Sequence, residues 1–423
     1  MTQATNKNPL FSRRGLIKAL GLGAAATMTA GLASRTLAAT VPHIVVVGGG
    51  FAGATAAKYL KMWGGTSVEV TLIEPNATYV SPILSNLVLN GQRSTANLSF
   101  GYATHQQRYG MNVIHSSVTA IDKTAQSLAL ANGTTLNYDR LVLAPGIDFI
   151  LAPGHDTAKV PHAWKAGVQT DLLKSQLDAM PAGGTFVMTI PAAPYRCPPG
   201  PYERACVVAD FLRRRDGVAN VIVLDANAGI TVEADTFGAA FANYGVRYQA
   251  NATVTAVNSD ARSVTYNNAT TLNADVLNVI PEQKAGSIIF AAGLNSGNWA
   301  PINPLTYEST LANNIHIIGD SQGTGVPKAG HIGNSEAKVC ADAILRSLSN
   351  LAADPAPKIN SACYSPISSN TASWLTAVYR YNSATGQMEI VPNVGLPAAG
   401  APSTRNYSNM FNWAGNLFAD TFA

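Results

Sequence analysis

His43-Ile44-Val45-Val46-Val47-Gly48-Gly49-Gly50-Phe51-Ala52-Gly53 runs directly into Ala54-Thr55-Ala56-Ala57-Lys58-Tyr59-Leu60. Ile44 to Val47 form the apolar, β-branched run that a central parallel strand needs, because helices cover both faces of such a sheet. Gly48, Gly50 and Gly53 permit a tight turn and let backbone approach a pyrophosphate, while the helix behind them offers its N-terminal amides and positive dipole end. A second strand, Val68-Glu69-Val70-Thr71-Leu72-Ile73, stops at Glu74, a carboxylate spaced to bind a ribose hydroxyl. Strand, glycines, helix, strand and acid occur in order, so a dinucleotide-binding α/β domain is expected.

Two later strands bear on which dinucleotide. Tyr138-Asp139-Arg140-Leu141-Val142-Leu143 ends in Ala144-Pro145-Gly146, and Asn314-Ile315-His316-Ile317-Ile318 ends in Gly319-Asp320. These resemble two hallmarks of the FAD-binding, disulfide-reductase-like flavoproteins. The resemblance implies that Ala144 and Gly146 lie against FAD and that Asp320 reaches the ribityl chain or its phosphate. It extends to Pro327-Lys328-Ala329-Gly330-His331, after which a helix would point its N-terminus at the flavin pyrimidine, where reduction places negative charge. The simpler role for Asp320 is a helix N-cap.

The middle of the chain offers two more strands, Gly184-Thr185-Phe186-Val187-Met188-Thr189-Ile190 and Ala219-Asn220-Val221-Ile222-Val223-Leu224-Asp225. A nucleotide site between them would need glycines where backbone meets pyrophosphate. The sequence reads Pro191-Ala192-Ala193-Pro194-Tyr195-Arg196-Cys197-Pro198-Pro199-Gly200 instead. Prolines lack the amide donors of a phosphate cradle, and the side chains fill its space. NAD(P)H binding in the usual place is therefore not expected, and Asp225 reads as a relic or a cap. A thiol, Cys197, occupies the proline-stiffened loop.

Upstream, Ser12-Arg13-Arg14-Gly15-Leu16-Ile17-Lys18 precedes an apolar, Ala/Gly-rich stretch reaching about Leu32, with Ala38 and Ala39 behind it. This reads as a twin-arginine export signal over residues 1–39, the alternative being a buried N-terminal helix. Export of this kind moves folded proteins, often with a cofactor loaded, and implies a periplasmic location. The segment holds Lys7, Arg13, Arg14, Lys18 and Arg35 and no acid, so the remaining chain has 23 basic against 24 acidic side chains. A near-neutral surface gives no case for nucleic acid or anionic membrane. Cys197, Cys206, Cys340 and Cys363 are the four cysteines, without CxxC or CxxCH spacing, and no metal site is expected.

Pro191 to Ala205, Tyr79 to Asn86, Pro161-His162-Ala163-Trp164-Lys165-Ala166-Gly167, Asn360-Ser361-Ala362-Cys363-Tyr364-Ser365 and the aromatic ending Asn412-Trp413 and Asp420-Thr421-Phe422 follow one another in order. Together they resemble the flavoprotein subunit of flavocytochrome c sulfide dehydrogenase over nearly the whole chain after the signal. The resemblance implies a redox-active disulfide between Cys197 and Cys363 stacked on the flavin. Hydrosulfide would open it, leaving a persulfide on one cysteine and a thiolate on the other. It also implies that Cys363 faces the flavin and Cys197 takes the growing sulfur chain, with electrons leaving for a c-type cytochrome, either a subunit or a soluble cytochrome c.

Glu203, six residues past Cys197, suits either a general acid or base for these protons or a carboxylate favoured by the first turn of a helix. Arg196 and Lys328 suit stabilisation of thiolate or flavin anion, or ordinary surface pairing. Trp413 suits packing near the flavin, or a plain core position. One departure from the family concerns Tyr79-Val80-Ser81-Pro82-Ile83-Leu84-Ser85-Asn86, where a cysteine that bonds flavin is replaced by proline. FAD is thus expected to be non-covalent. Cys206 and Cys340 sit in apolar helical settings typical of inert thiols, or compete in exchange with the active pair.

The expected fold is α/β, with two Rossmann-like dinucleotide-binding domains, the second degenerate, plus a C-terminal α+β domain. The FAD domain is expected at 41–150 and 290–350, the degenerate domain at 151–289, and a C-terminal domain covering the flavin at 351–423. Competing readings are a sulfide:quinone oxidoreductase, an NAD(P)H-dependent disulfide reductase and a non-catalytic flavin-binding electron-transfer subunit. The first needs a membrane-facing C-terminus, but Met410 to Phe418 is short and lacks basic residues, so no integral membrane association is expected.

Overall fold

Strand β1 (His43–Val47) forms as expected, with Ile44, Val45 and Val46 fully buried. The computed structural model describes residues 41–394 and 401–423, and the export signal read at 1–39 lies outside the described residues. The glycine turn leads into α1 (Phe51–Gly64), and β2 (Glu69–Ile73) returns parallel to β1 with Val46 opposite Leu72. β3 (Asn112–Ile114) lies outside β2, while β4 (Arg140–Leu143) flanks the other side of β1.

Steric contact explains the turn. Gly48 has a φ of 101°, and a Cβ there would stand 2.3 Å from the Ala144 carbonyl oxygen. A Cβ at Gly53 would stand 1.8 Å from the Gly48 oxygen. Only glycine allows strand, turn and helix to close this tightly.

β5 (Thr185–Ile190), α2 (Gly200–Asp216), β6 (Asn220–Asp225), β7 (Arg247–Gln249) and β8 (Val276–Val279) build the second parallel sheet, ordered β7-β6-β5-β8. Phe186, Met188, Val223 and Phe237 centre its core. Asp225 caps the turn that follows its strand. It is fully buried, its Oδ2 accepts the hydroxyls of Tyr202 and Tyr248 at 2.8 Å each, and its Oδ1 accepts the Asn227 amide at 2.9 Å. Two tyrosines thus satisfy an acid that sits where a ribose hydroxyl binds in a working nucleotide fold.

The chain then returns to the first sheet, where β9 (Ile315–Ile317) pairs with β4, placing Ile317 opposite Leu143. The order is β9-β4-β1-β2-β3. α3 (Gly330–Leu348) packs on α1 so closely that a Cβ at Gly333 would lie 3.2 Å from that of Ala52. β10 (Lys358–Pro366), β11 (Ala372–Asn382) and β12 (Gln387–Ile390) form an antiparallel sheet. The aromatic ending is a helix, α4 (Thr404–Phe422), whose first turn is capped by Ser403 Oγ accepting the Asn406 amide at 3.1 Å.

The C-terminal α+β region is a cover more than a separate domain. Apart from a small cluster around Ile359 and Met388, it packs into its neighbours: Leu417 and Phe422 join the core of the first domain, and Ile367 joins that of the second. Lys58 of α1 fastens α4 by donating to the carbonyls of Ala423 at 2.5 Å and Asp420 at 3.0 Å. The Asp420 carboxylate accepts Tyr59 at 2.6 Å and pairs with Lys338 of α3 at 2.7 Å.

Gly53→Ala is expected to cost about 1–3 kcal/mol through overpacking, read as a lower midpoint in chemical denaturation. Gly415→Ala in α4, where nothing lies within 4 Å of a new Cβ, is the control and is expected to leave the midpoint unchanged or slightly raised.

Candidate active site

The Cys197 loop is fixed on both sides. The Cys197 amide donates to the Lys328 carbonyl at 2.7 Å, its own carbonyl accepts the Gly200 amide at 2.9 Å, and the Arg196 amide donates to Gln283 Oε1 at 2.8 Å. These bonds hold Cys197 at a φ of 57°, a left-handed conformation uncommon outside glycine. A Cβ at Gly200 would stand 2.8 Å from the Cys197 sulfur and 2.9 Å from the Trp164 ring, so glycine is required there.

Cys363 arrives from the other end of the chain, in β10, opposite Leu375 of β11. Both sulfurs are free thiols, and Cys197 and Cys363 line one cavity together with Glu203, Trp164, His331 and Trp413. Burial pushes the Cys197 thiol well above its ordinary range, with Cys363 and Glu203 adding to the shift and Arg196 opposing it. Burial likewise raises Cys363, to about 12, against a hydrogen bond from Ser361. Both sulfurs therefore keep their protons in this state.

Glu203 occupies the first turn of α2 and also faces the cavity, so its two sequence readings describe one position. Its Oε1 accepts Asn86 Nδ2 at 2.8 Å, and burial raises its pKa to about 8. Arg196 lines the cavity, and among the described residues its guanidinium makes no hydrogen bond or ion pair. Trp413 lines the cavity from α4, its Nε1–H donating to His331 Nδ1 at 3.3 Å.

Lys328 is buried behind the Cys197 loop. Its ammonium is turned to the Gln322 carbonyl at 2.5 Å and lies 3.8 Å above the Trp299 ring, outside the cavity lining, and burial lowers its pKa to about 8. The side chain satisfies itself within the protein, while its backbone oxygen holds the Cys197 loop. Cys206 and Cys340 are fully buried on α2 and α3 and do not line the cavity.

The residues expected to hold the dinucleotide fit it. Gly48, Gly50 and Gly53 form the turn, and Glu74 braces it: Oε2 accepts the Gly49 amide at 2.8 Å while Oε1 accepts Asn76 Nδ2 at 2.8 Å. Ala144 donates to the Val47 carbonyl at 2.8 Å, and Gly146, with a φ of 72°, accepts the Gly286 amide at 2.9 Å. Asp320 sits in a 3₁₀ turn (Gly319–Ser321) and is not an N-cap of α3, a position held by Ala329. Among the described residues its half-buried carboxylate has no hydrogen-bond partner, as a group awaiting a cofactor hydroxyl requires. No cysteine lies in the Tyr79–Asn86 segment, where Leu84 adopts a φ of 68°, so the residues present match a non-covalent FAD.

Asn86, Arg204 and His331 went unassigned in the sequence. His331 Nδ1 accepts both Trp413 and the Ala362 amide, the latter at 3.0 Å, which joins the start of α3 to the strand carrying Cys363. Its place directly after Gly330 at a helix start was the one available signal.

Three family profiles match the chain in succession. Pyridine nucleotide-disulphide oxidoreductase covers residues 42–175, the central part of the sulfide dehydrogenase (flavocytochrome c) flavoprotein chain covers 170–281, and the flavin-binding part of flavocytochrome c sulphide dehydrogenase covers 355–422. The sulfide dehydrogenase flavoprotein chain of Chlorobaculum thiosulfatiphilum is 51% identical over 46 residues, 11% of this chain and 94% of that sequence. Rhodocoxin reductase of Rhodococcus erythropolis is 27% identical over 303 residues, 68% of this chain and 66% of the relative, so the match spans just under two thirds of that protein. The solved sulfide:quinone oxidoreductase of Aquifex aeolicus shares the fold with a TM-score of 0.75 at 17% identity, covering 90% of this chain and 91% of that one. The flavin-binding match and the glycine turn together identify the cofactor as FAD.

In the reduced protein, alkylation of Cys197 and Cys363 by iodoacetamide is expected to be slow at about pH 7.5 and to accelerate well above pH 9, because the thiolate is the nucleophile. Peptide mass spectrometry checks this. Labelling of either residue at the rate of a free cysteine peptide at neutral pH contradicts the buried, protonated state.

Proposed function

We propose, from the premise that the chain belongs to the sulfide dehydrogenase (flavocytochrome c) flavoprotein family, that it oxidises sulfide to zero-valent sulfur at the Cys197 and Cys363 pair. FAD is its bound cofactor, a c-type cytochrome subunit or soluble cytochrome c its acceptor, and the periplasm its location. The observation that carries this reading is the meeting of two thiols, 166 residues apart in sequence, with a buried carboxyl in one cavity.

When bound, FAD would supply the two-electron acceptor that returns the Cys197 and Cys363 thiols to the disulfide, once the outer sulfur of the persulfide described next has passed to a second hydrosulfide and left as hydrodisulfide. Hydrosulfide attacks the Cys197 sulfur of the oxidised pair. The bond from the incoming sulfur to Cys197 forms, the bond to Cys363 breaks, and its electron pair goes to the Cys363 sulfur. Burial disfavours a thiolate at Cys363, so that sulfur takes a proton. The proton comes from the new persulfide by way of Glu203, whose pKa of about 8 lets it accept and donate near neutrality. Hydrosulfide plus disulfide thus becomes persulfide anion plus thiol, with no atom or charge unaccounted for. Arg196, facing Cys197, stabilises the persulfide anion left there.

Trp164, Pro82 and Leu84 give the cavity an apolar wall that excludes water from this exchange. On the second sheet the Asp225 carboxylate, placed where a nucleotide ribose would be held, already accepts the hydroxyls of Tyr202 and Tyr248, which disfavours NAD(P)H there.

Anaerobic titration of the holoprotein with sulfide is expected to bleach the flavin absorbance and raise a long-wavelength charge-transfer band, with no response to NADH. Cys197→Ser and Cys363→Ser are each expected to slow sulfide-dependent cytochrome reduction by at least about a hundredfold. Reduction by NADH but not sulfide supports a disulfide reductase instead, and preferential reduction of a quinone supports the sulfide:quinone class.

A further inference from the structure

Arg204 follows Glu203 on α2 and is the largest of the fully buried side chains. A buried guanidinium ordinarily pairs with a carboxylate, since its charge is costly to remove from water. Among the described residues none lies within ion-pair distance of Arg204. Its four hydrogen bonds go to neutral oxygens: Nε to Asn86 Oδ1 at 2.9 Å, Nη1 to the His162 carbonyl at 3.0 Å and Asn278 Oδ1 at 2.9 Å, and Nη2 to the Ala163 carbonyl at 2.6 Å. Ala163 adopts a φ of 47° as it presents that carbonyl, and Trp164 lies under the guanidinium at 4.8 Å.

We propose that Asn86 is a positioning residue that sets the proton affinity of Glu203 by bridging its carboxylate to the buried Arg204 cation. The proposal deepens the role given to Glu203 above and rests on it. The bridge has one possible orientation. Asn86 Oδ1 must face the Arg204 donor, which leaves Nδ2 to donate to Glu203 Oε1 at 2.8 Å and to the Gly200 carbonyl at 3.2 Å. A flipped amide would set donor against donor and acceptor against acceptor. All three side chains are buried, so the amide dipole transmits the cation's field with little screening by water.

The relay works against its surroundings. Burial and Glu233, from the N-terminus of the neighbouring helix Ala234–Tyr244, favour the neutral acid, whereas Asn86 and Arg204 favour the carboxylate. Cys197 in the loop, Cys363 in β10 and Cys206 on α2 also feel the charge of Glu203. The balance holds Glu203 near the pH at which a proton relay between sulfurs is useful. Because Arg204 also grips the carbonyls on either side of the His162–Ala163 bond, the same bridge fixes the wall that carries Trp164.

The test is infrared difference titration of the carboxyl band in the holoprotein, with the band assigned by its loss in Glu203→Gln. Asn86→Leu removes the donor, and the isosteric Asn86→Asp replaces it with a negative charge that also captures Arg204. Both are expected to move the Glu203 midpoint upward by about one unit or more, the value of a hydrogen bond to a charged group. The corresponding limb of the kcat profile for sulfide-dependent cytochrome reduction is expected to move with it. A midpoint unmoved in both variants overturns the proposal, and the isosteric change guards against simple misfolding. If the midpoint moves while turnover is indifferent to Glu203→Gln, the bridge stands and the proton role of Glu203 falls.

Discussion

Withdrawal of water from the wall shared by α2, β10 and the 82–86 segment sets the state of its two thiols and its carboxyl, since a thiol or carboxyl that loses hydration holds its proton more tightly. Cys197, Cys363 and Glu203 all shift in that direction for that reason. The few groups that oppose it, Arg196 toward Cys197 and the Asn86 and Arg204 pair toward Glu203, therefore have disproportionate influence. Chemistry at this cavity is governed by where a small number of dipoles and cations are aimed into an apolar space.

Aiming depends in turn on backbone. Cys197, Leu84 and Ala163 all occupy left-handed conformations, and all three line the cavity. Non-glycine residues pay conformational strain in such geometry, so it persists only where surrounding contacts over-determine it. The Lys328 carbonyl under the Cys197 amide and the Arg204 guanidinium on the Ala163 carbonyl are two such contacts.

The first sheet was legible because its signals are local: an apolar run, glycines at steric pinch points and an acid at a strand end. β5 and β6 of the second sheet were legible for the same reason, whereas the short strands β3, β7 and β8 carry no such signal and were not legible. Nor was α4, because Asn412, Gly415 and Asn416 dilute helix propensity and its buried apolar positions, Met410, Ala414, Leu417 and Phe422, acquire meaning only against α1, β10 and β11. Cys363 was placed by family resemblance alone, and the structure gives the physical cause, a return of β10 over the start of α3. Asn86 was invisible because its partners Glu203 and Arg204 lie 117 and 118 residues away. Lys328 carries a second detail the sequence does not show: its carbonyl holds the Cys197 amide while its ammonium lies over Trp299.

The tyrosine pair on Asp225 has a consequence for how this architecture can change. Replacing the acid takes the shared acceptor from the buried Tyr202 hydroxyl and the half-buried Tyr248 hydroxyl, while replacing either phenol leaves the buried carboxylate with one donor fewer. Neither step restores the amides missing from the prolines of the neighbouring loop. Each single move away from the present arrangement is unfavourable, so an acid held in this way resists stepwise conversion into a ribose-binding one.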